Sequence, residues 1–174
     1  CQKGAQMDTT RWEYLVSPQF NIRKIIATEY LKDCETIIDV GAFKKKLPIK
    51  HNATLHTIDP LETIPDAFHG KFSDWIKSDP TLFGKIGVAL LGFDFEGDEY
   101  EREYLIKFVQ NVDVIVLECA TEFGPSMSQM NRVLLDLRNN FAKEAGIQLN
   151  LPDIDIDGFP VFNLRTMVIL KRMK

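Results

Sequence analysis

Acidic side chains stand at or beside the ends of four predicted strands of this chain. Asp39 lies next to the end of the first strand, Asp59 ends the second, Asp94 and Glu96 follow the third, and Glu118 ends the fourth. Carboxylates held beside one cleft repel each other, and a cationic or polar ligand relieves that repulsion. Because Asp also favours turns, an ordinary acidic surface remains the alternative explanation for each acid taken alone.

Two positions have the spacing of a nucleoside-binding site. Gly41 follows the first strand, where the lack of a side chain lets the backbone turn tightly and approach a ligand. Asp59 comes twenty residues after Asp39, and an acid at this offset can accept hydrogen bonds from both hydroxyls of a ribose. Together they favour a cofactor site more strongly than either residue does alone.

Short apolar runs predict the strands that place these acids. The runs lack the alternation of a half-exposed strand, which indicates a parallel sheet covered on both faces. The four runs are residues 36–40, 54–58, 86–91 (within 85–95) and 112–119. In such a sheet the ligand lies at the carboxyl ends of the strands, near the switch in strand order, and the acids fall there.

Apolar residues at helical spacing predict helices between the strands. The first helix enters at Pro18 and runs to about residue 31, with an apolar face of Ile22, Ile25, Ile26 and Tyr30. Two more are predicted at residues 99–109 and 126–144, the latter with Gly146 as its C-cap. After an alternating stretch at 153–157, Gly158 breaks the pattern, and residues 161–162 and 165–170 predict a closing pair of strands.

This order predicts an α/β fold with a mostly parallel sheet, helices on both faces and a C-terminal antiparallel hairpin. The chain has 174 residues, which suits one domain over residues 17–174, preceded by an N-terminal extension over residues 1–16. Met7 is a candidate native start within that extension, and the alternative is that Cys1 is a processed terminus, such as a lipidated one.

Composition excludes several classes of protein. With 21 basic and 25 acidic side chains the net charge is −4, which argues against non-specific binding of nucleic acid. No apolar run is long enough to cross a membrane, and none near the start has the pattern of a signal peptide. Three widely spaced cysteines argue against a disulfide framework, so we expect a reducing, cytoplasmic location.

Residues 72–120 carry a family resemblance. They contain Phe-Ser-Asp-Trp-Ile from Phe72, the strand from Ile86, Phe-Asp-Phe-Glu-Gly-Asp-Glu from Phe93, and the strand that ends in Glu118. Together with Asp-Val-Gly-Ala from Asp39, this pattern resembles the class I S-adenosylmethionine-dependent methyltransferases, and within them the FkbM family. The resemblance implies a Rossmann-like methyltransferase fold, S-adenosylmethionine as cofactor, and methyl transfer to a hydroxyl oxygen of a small molecule or sugar.

The resemblance also implies residue roles. Gly41 would meet the methionine portion of the cofactor, Asp59 its ribose, and Ser73 and Asp74 the adenine amine. The full implied cofactor set is Asp39, Gly41, Ala42, Phe43, Asp59, Pro60, Ser73, Asp74, Phe93 and Asp94. The implied catalytic set is Asp94, Glu96 and His56. A hydroxyl acceptor needs a base, and Asp94 is the first choice because it sits at a strand terminus.

The sequence departs from the family pattern in three places. Phe43 and three lysines follow Gly41 where the family has Gly or small residues, and Gly92 replaces a family Lys. Residues 60–73 are short for a helix plus a strand, so an element at the sheet edge is expected to be missing. These departures keep open a non-catalytic binding or assembly module that has lost its cofactor. An enzyme that uses a nucleotide ranks third, because one Gly provides little phosphate cradle.

We expect no metal. The acidic run at 153–158 is similar to the start of an EF-hand loop, but Leu164 stands where the bidentate Glu is needed. His51, His56 and His69 lack metal-ligand spacing. A divalent cation held by Asp94, Glu96 and Glu118 is the minority alternative. The oligomeric state is left open.

Overall fold

The computed structural model of the chain describes residues 20–42, 45–61, 64–92, 99–122, 124–154 and 157–174. They form a six-stranded sheet with the order β2-β1-β3-β4-β6-β5. The strands are β1 (Thr36–Val40), β2 (Thr54–Ile58), β3 (Ile86–Leu91), β4 (Val114–Ala120), β5 (Phe141–Ile154) and β6 (Pro160–Arg172). The helices are α1 (Asn21–Tyr30), α2 (Phe72–Lys77), α3 (Glu99–Val109) and α4 (Gly124–Leu137).

Strands β1 to β5 run in one direction, and β6 runs antiparallel to both of its neighbours. β1 lies between β2 and β3, β3 pairs with β4, and β6 runs antiparallel between β4 and β5. The chain therefore leaves β1 in one direction to form β2 and returns to its other side to form β3. This reversal places a crevice at the carboxyl ends of β1 and β3.

Successive side chains of each strand point to opposite faces, and each face has its own core. Helices α2, α3 and α4 cover one face, where Ile38, Val88 and Ile115 are buried. Helix α1 and the segment after β1 cover the other, where Ile37, Ala89 and Val116 are buried. The prediction of a mostly parallel sheet with helices on both faces and a C-terminal antiparallel hairpin is confirmed.

Two boundaries near the end of the chain were predicted wrongly. The helix predicted to reach residue 144 ends at Leu137, and Phe141 begins β5. Gly146, expected as a C-cap, lies within that strand opposite Val168. Phe141 continues the helical spacing of Leu137, but pairing along β6 overrides this local pattern.

The closing pair of strands was also divided wrongly. Residues 161–162 and 165–170 belong to the single strand β6, and its hairpin partner is β5 on the other side of Gly158. The β4 ladder ends at Arg165, whereas the β5 ladder continues to Pro160. The hairpin therefore projects beyond β4 by five residue pairs, about 17 Å, at the end of the sheet that holds the crevice.

The expected gap at the sheet edge is present in the described part of residues 60–73. β2 is the last strand on that side, and a single bridge from Ile58 to Phe68 replaces a further strand. No helix in the described residues is long and apolar enough to cross a membrane.

Candidate functional site

Two glycines with left-handed backbone border the crevice. Gly41 follows β1 with φ +74°, and Gly92 follows β3 with φ +73°. A Cβ built on either one meets no atom of the described residues within 4 Å, so none of these residues blocks the approach to either backbone. The Gly41 N–H donates to Ile58 O at 2.8 Å, and the Gly92 N–H donates to Glu118 O at 3.0 Å. In both turns the glycine N–H is thus hydrogen-bonded to a neighbouring strand. The side on which a Cβ would lie remains accessible to a ligand as far as the described residues show.

Asp39 lies just below Gly41 and is 2% exposed. Its carboxylate accepts the Leu47 backbone N–H, and burial raises its pKa to about 7 against the opposing effect of the Lys24 ammonium. Its Oδ2 has no hydrogen-bond partner among the described residues, and neither has the buried Thr57 hydroxyl directly opposite on β2. Buried polar atoms without partners are rare, so this pair marks a place for a polar ligand or water.

The side chain of Lys24 extends from helix α1 into the same region. It is 6% exposed, and its Nζ donates to Ala42 O at 2.9 Å and to Lys45 O. Burial lowers the pKa of Lys24, while the carboxylates of Asp39 and Asp59 act in the opposite direction. The ammonium therefore lies near both acids while it holds the segment after β1.

Asp59 directly follows β2, at the predicted end of the strand, but its side chain is buried. It is 2% exposed, and its Oδ1 accepts the Leu61 N–H at 2.8 Å. Its own N–H donates to Phe68 O at 3.0 Å. Pro60 beside it is exposed. The carboxylate thus shapes the turn after β2, and a ribose would have to reach it within that turn.

Ser73 and Asp74 lie in the first turn of helix α2 and differ in solvent accessibility. Ser73 is buried, and both its N–H, at 3.1 Å, and its hydroxyl donate to the Glu101 carboxylate on α3. Asp74 is exposed. Ser73 therefore ties α2 to α3, and of the two side chains Asp74 is the one open to a ligand.

His56 does not lie at a strand end. It sits in the middle of β2 opposite Ile38, and its ring centroid is 5.4 Å from that of Trp75 on α2. Its Nε2 is buried and finds no hydrogen-bond partner in the described residues. The ring packs beneath α2, which argues against a role as a base in the crevice.

Glu118 was expected as a cleft carboxylate and instead forms a buried ion cluster. It is 0% exposed, and its Oε2 accepts hydrogen bonds from Arg23 at 2.7 Å and from the Gly92 N–H at 2.8 Å. Its Oε1 accepts from Arg165 Nε. Burial alone would raise the pKa of Glu118, but the two guanidinium groups outweigh it and hold that pKa below its usual value. With its oxygens engaged, Glu118 is not placed to hold a cation.

Arg23 and Lys24 were missed because the predicted apolar face of α1 is only partly its buried face. Ile26 and Tyr30 pack against the core as expected, but the other two members do not. Ile22 and Ile25 are 42% and 56% exposed, whereas Arg23, Lys24, Ala27 and Thr28 are buried. Arg23, Ala27 and Leu31 have helical spacing on the buried face. The isoleucine spacing masked this signal, and nothing local indicated that two cations had buried partners.

Four predicted site residues lie outside the described residues: Phe43, Phe93, Asp94 and Glu96. Among the residues that are described, no group of three His, Cys, Asp or Glu side chains could hold a metal ion.

No family model and no curated protein matches this sequence. In structure, the chain is similar to a precorrin-6Y C5,15-methyltransferase from Geobacter metallireducens, with a TM-score of 0.57, 12% identity, and coverage of 85% of this chain and 87% of that one. This chain therefore has the Rossmann-like methyltransferase fold. An uncharacterised protein from Listeria monocytogenes aligns with a TM-score of 0.55 and 14% identity over 87% of this chain and 67% of that one. A protein in the NADB-Rossmann superfamily from Streptococcus agalactiae aligns with a TM-score of 0.50 and 16% identity over 87% and 69%.

Proposed function

We propose that this chain is an FkbM-like methyltransferase that binds S-adenosylmethionine in the crevice between β1 and β3. The observation that carries the proposal is the pair of open glycine turns, Gly41 and Gly92, beside the buried Oδ2 of Asp39 that lacks a partner. A cofactor with a sulfonium and an ammonium group suits a buried carboxylate whose second oxygen has no donor. The residues present therefore fit the methionine portion of this cofactor.

The cofactor supplies an electrophilic methyl group on a positively charged sulfur. The chain's contribution is to hold and align the reactants, since in-line displacement depends on orientation. Asp39 and the Gly41 backbone would hold the methionine portion, Asp59 would hold the ribose from within its turn, and Asp74 would lie at the adenine side. Asp94, with Glu96 beside it, is the proposed base that takes the proton of a hydroxyl acceptor.

The proposed acceptor is a hydroxyl group of a small molecule or sugar. This rests on the resemblance of residues 72–120 to the FkbM family and on the net charge of −4, which disfavours a polyanionic acceptor. Cys34 and Cys119 are buried and unpaired, which supports the proposed reducing, cytoplasmic location.

Calorimetry with S-adenosylmethionine and S-adenosylhomocysteine tests the cofactor. The expected result is binding by the wild-type chain and a loss of affinity of about tenfold or more in Gly41→Ala, because a methyl group enters the space where a ligand would approach the backbone. Gly158→Ala is the matched control, since Gly158 also has a positive φ, +84°, and open space around its Cβ, but lies at the hairpin turn. Equal affinity in the two variants would contradict the proposed site.

The acceptor is tested separately with S-adenosylmethionine that carries a carbon-13 methyl group. The chain is incubated with a panel of sugars and small alcohols, and in parallel with amines and RNA. A new methyl resonance at the chemical shift of a methyl ether supports the proposal. Transfer only to nitrogen or to RNA would contradict the acceptor class while leaving the cofactor site intact.

A non-catalytic binding module is the second candidate. The specific observations that favour it are the engaged carboxylate of Asp59 and the absence of a helix in residues 45–53, the described part of the segment after β1. If well-folded protein binds neither cofactor form at millimolar concentration, this second function is the correct one.

A further inference from the structure

The connection from β1 to β2 lacks the helix that usually joins parallel strands, as far as residues 45–53 are described. Backbone carbonyls in this segment therefore need donors from elsewhere in the chain. Lys24 provides them, because its Nζ donates to Ala42 O at 2.9 Å and to Lys45 O. One side chain of α1 thus contacts the backbone at both Ala42 and Lys45.

The rest of this segment is fixed by contacts that depend on the same arrangement. Leu47 is 3% exposed in the core beneath α1, and its N–H donates to the Asp39 carboxylate. The Ile49 N–H then donates to Leu47 O at 2.9 Å. Lys24, Asp39 and Leu47 therefore form one buried group of contacts that holds Ala42 and residues 45–49 in place.

We propose that Lys24 is the positioning residue that holds the backbone after Gly41 in the conformation the cofactor needs. The inference rests on the proposed function for its effect on binding, but its effect on the loop is independent of any ligand. A buried ammonium with two carbonyl acceptors supplies charge-assisted hydrogen bonds, which are stronger than neutral ones. Lys24 thereby replaces the hydrogen bonds that a helix after β1 would have made.

Amide hydrogen exchange measures the loop directly. We expect Lys24→Met to increase exchange at the Leu47 and Ile49 amides by about tenfold or more. The reason is that the hydrogen bonds from the Lys24 ammonium to the backbone carbonyls are lost. Amides of the central strand β4, such as Val116, should exchange as in the wild type. Lys32→Met is the control, because Lys32 is exposed and forms its ion pair with Glu29, which is also exposed. Unchanged exchange at Leu47 and Ile49 in Lys24→Met would overturn the proposal.

Titration of the same variants with S-adenosylhomocysteine measures the consequence for binding. Lys24→Met is expected to weaken the affinity by about tenfold, while Lys24→Arg, which keeps a cation with several donors, restores most of it. Tighter binding by Lys24→Met would overturn the proposal, because it would mean that the Lys24 ammonium occupies the place of the cofactor's amino group. If Lys24→Met does not fold, Lys24→Gln keeps two N–H donors without the charge and should give an intermediate increase in exchange.

The two proposals fail in different ways. If wild-type protein binds no S-adenosylhomocysteine, the proposed function is wrong, and the exchange data alone decide whether Lys24 holds the loop. If the wild type binds and Lys24→Met binds equally well, the proposed function stands and the role of Lys24 is wrong.

Discussion

Arg23 on α1 donates a hydrogen bond of 2.7 Å to Oε2 of Glu118 at the end of β4, and the two side chains are 3% and 0% exposed. Arg165 on β6 donates to the other oxygen of the same carboxylate. The pair therefore joins a helix near the start of the described chain to a central strand and, through Arg165, to the last strand. The Glu118 carboxylate also fixes the backbone of Gly92, because the Gly92 N–H donates to its Oε2.

Glu118→Gln should strongly destabilise the chain. It removes the carboxylate charge that pairs with two buried guanidinium groups, and the loss of one partner of a buried ion pair costs about 3–5 kcal/mol of the free energy of unfolding. Urea denaturation followed by circular dichroism measures this. Glu144→Gln is the control, since its pair with Lys171 is far more exposed and should contribute little. Equal midpoints for the two variants would show that the buried cluster does not stabilise the fold.

Asp39→Asn should make the chain more stable at alkaline pH. Burial raises the pKa of Asp39 from 3.8 to about 7, so between these values the folded chain retains a proton that the unfolded chain has released. The free energy of unfolding of the wild type therefore falls as the pH rises through this window and stays lower above it. The variant lacks this fall and should be more stable by up to about 4 kcal/mol at pH 8.

Urea titrations at pH 5, 6.5 and 8 test this dependence. The advantage of Asp39→Asn should shrink steadily as the pH is lowered. Asp66→Asn, a change at an exposed acid paired with Lys46, should follow the wild type at all three values. An advantage of Asp39→Asn that does not vary with pH would exclude the titration of Asp39 as its cause.

Ser73→Ala should affect stability more than cofactor affinity. Its hydroxyl donates to buried Glu101, so removal costs about 1–2 kcal/mol. The affinity for S-adenosylhomocysteine should change by less than about threefold, because this hydroxyl is already engaged within the chain. Ser78→Ala, which removes a 2.6 Å bond to Trp75 O at the other end of α2, is the matched control. A selective loss of affinity in Ser73→Ala would place this hydroxyl on the adenine.

His56→Phe should be tolerated. The ring packs 5.4 Å from Trp75, and its buried Nε2 makes no hydrogen bond with the described residues, so Phe preserves the packing and removes an unsatisfied polar atom. His56→Ala should instead lower the free energy of unfolding by about 2 kcal/mol through the cavity it leaves. If His56→Phe binds cofactor normally but no longer transfers methyl groups, His56 would be the base after all.

The sequence was sufficient to predict the bounds of β1, β2, β3 and α3, which agree with those in the structure. Short apolar runs and helical spacing carry this information locally. The end of α4 and the extent of β5 were not predictable in this way, because the strand state of residues 141–146 depends on pairing with β6, which follows later in the chain.

The candidate site was predictable in position but not in contacts. The carboxyl ends of parallel strands must meet at one edge, so Asp39, Gly41 and Asp59 could be placed from the sequence alone. The burial of Arg23 and Lys24 could not, because their partners are Glu118 and two backbone carbonyls distant in sequence. Nothing in the residues around α1 indicates such partners.

The position of β6 between β4 and β5 has a consequence for synthesis on the ribosome. β6 emerges after every other strand, yet it fills an interior place in the sheet. Until then, the edge of β4 from Val114 to Ala120 has no strand to pair with on that side, and unpaired edges are prone to association with other chains. Arg165 is part of β6, so its side chain also becomes available to Glu118 only after β6 has emerged. Until β6 has emerged, the nascent chain can therefore complete neither the described sheet nor the Glu118 cluster, and it is most prone to association with other chains before that point.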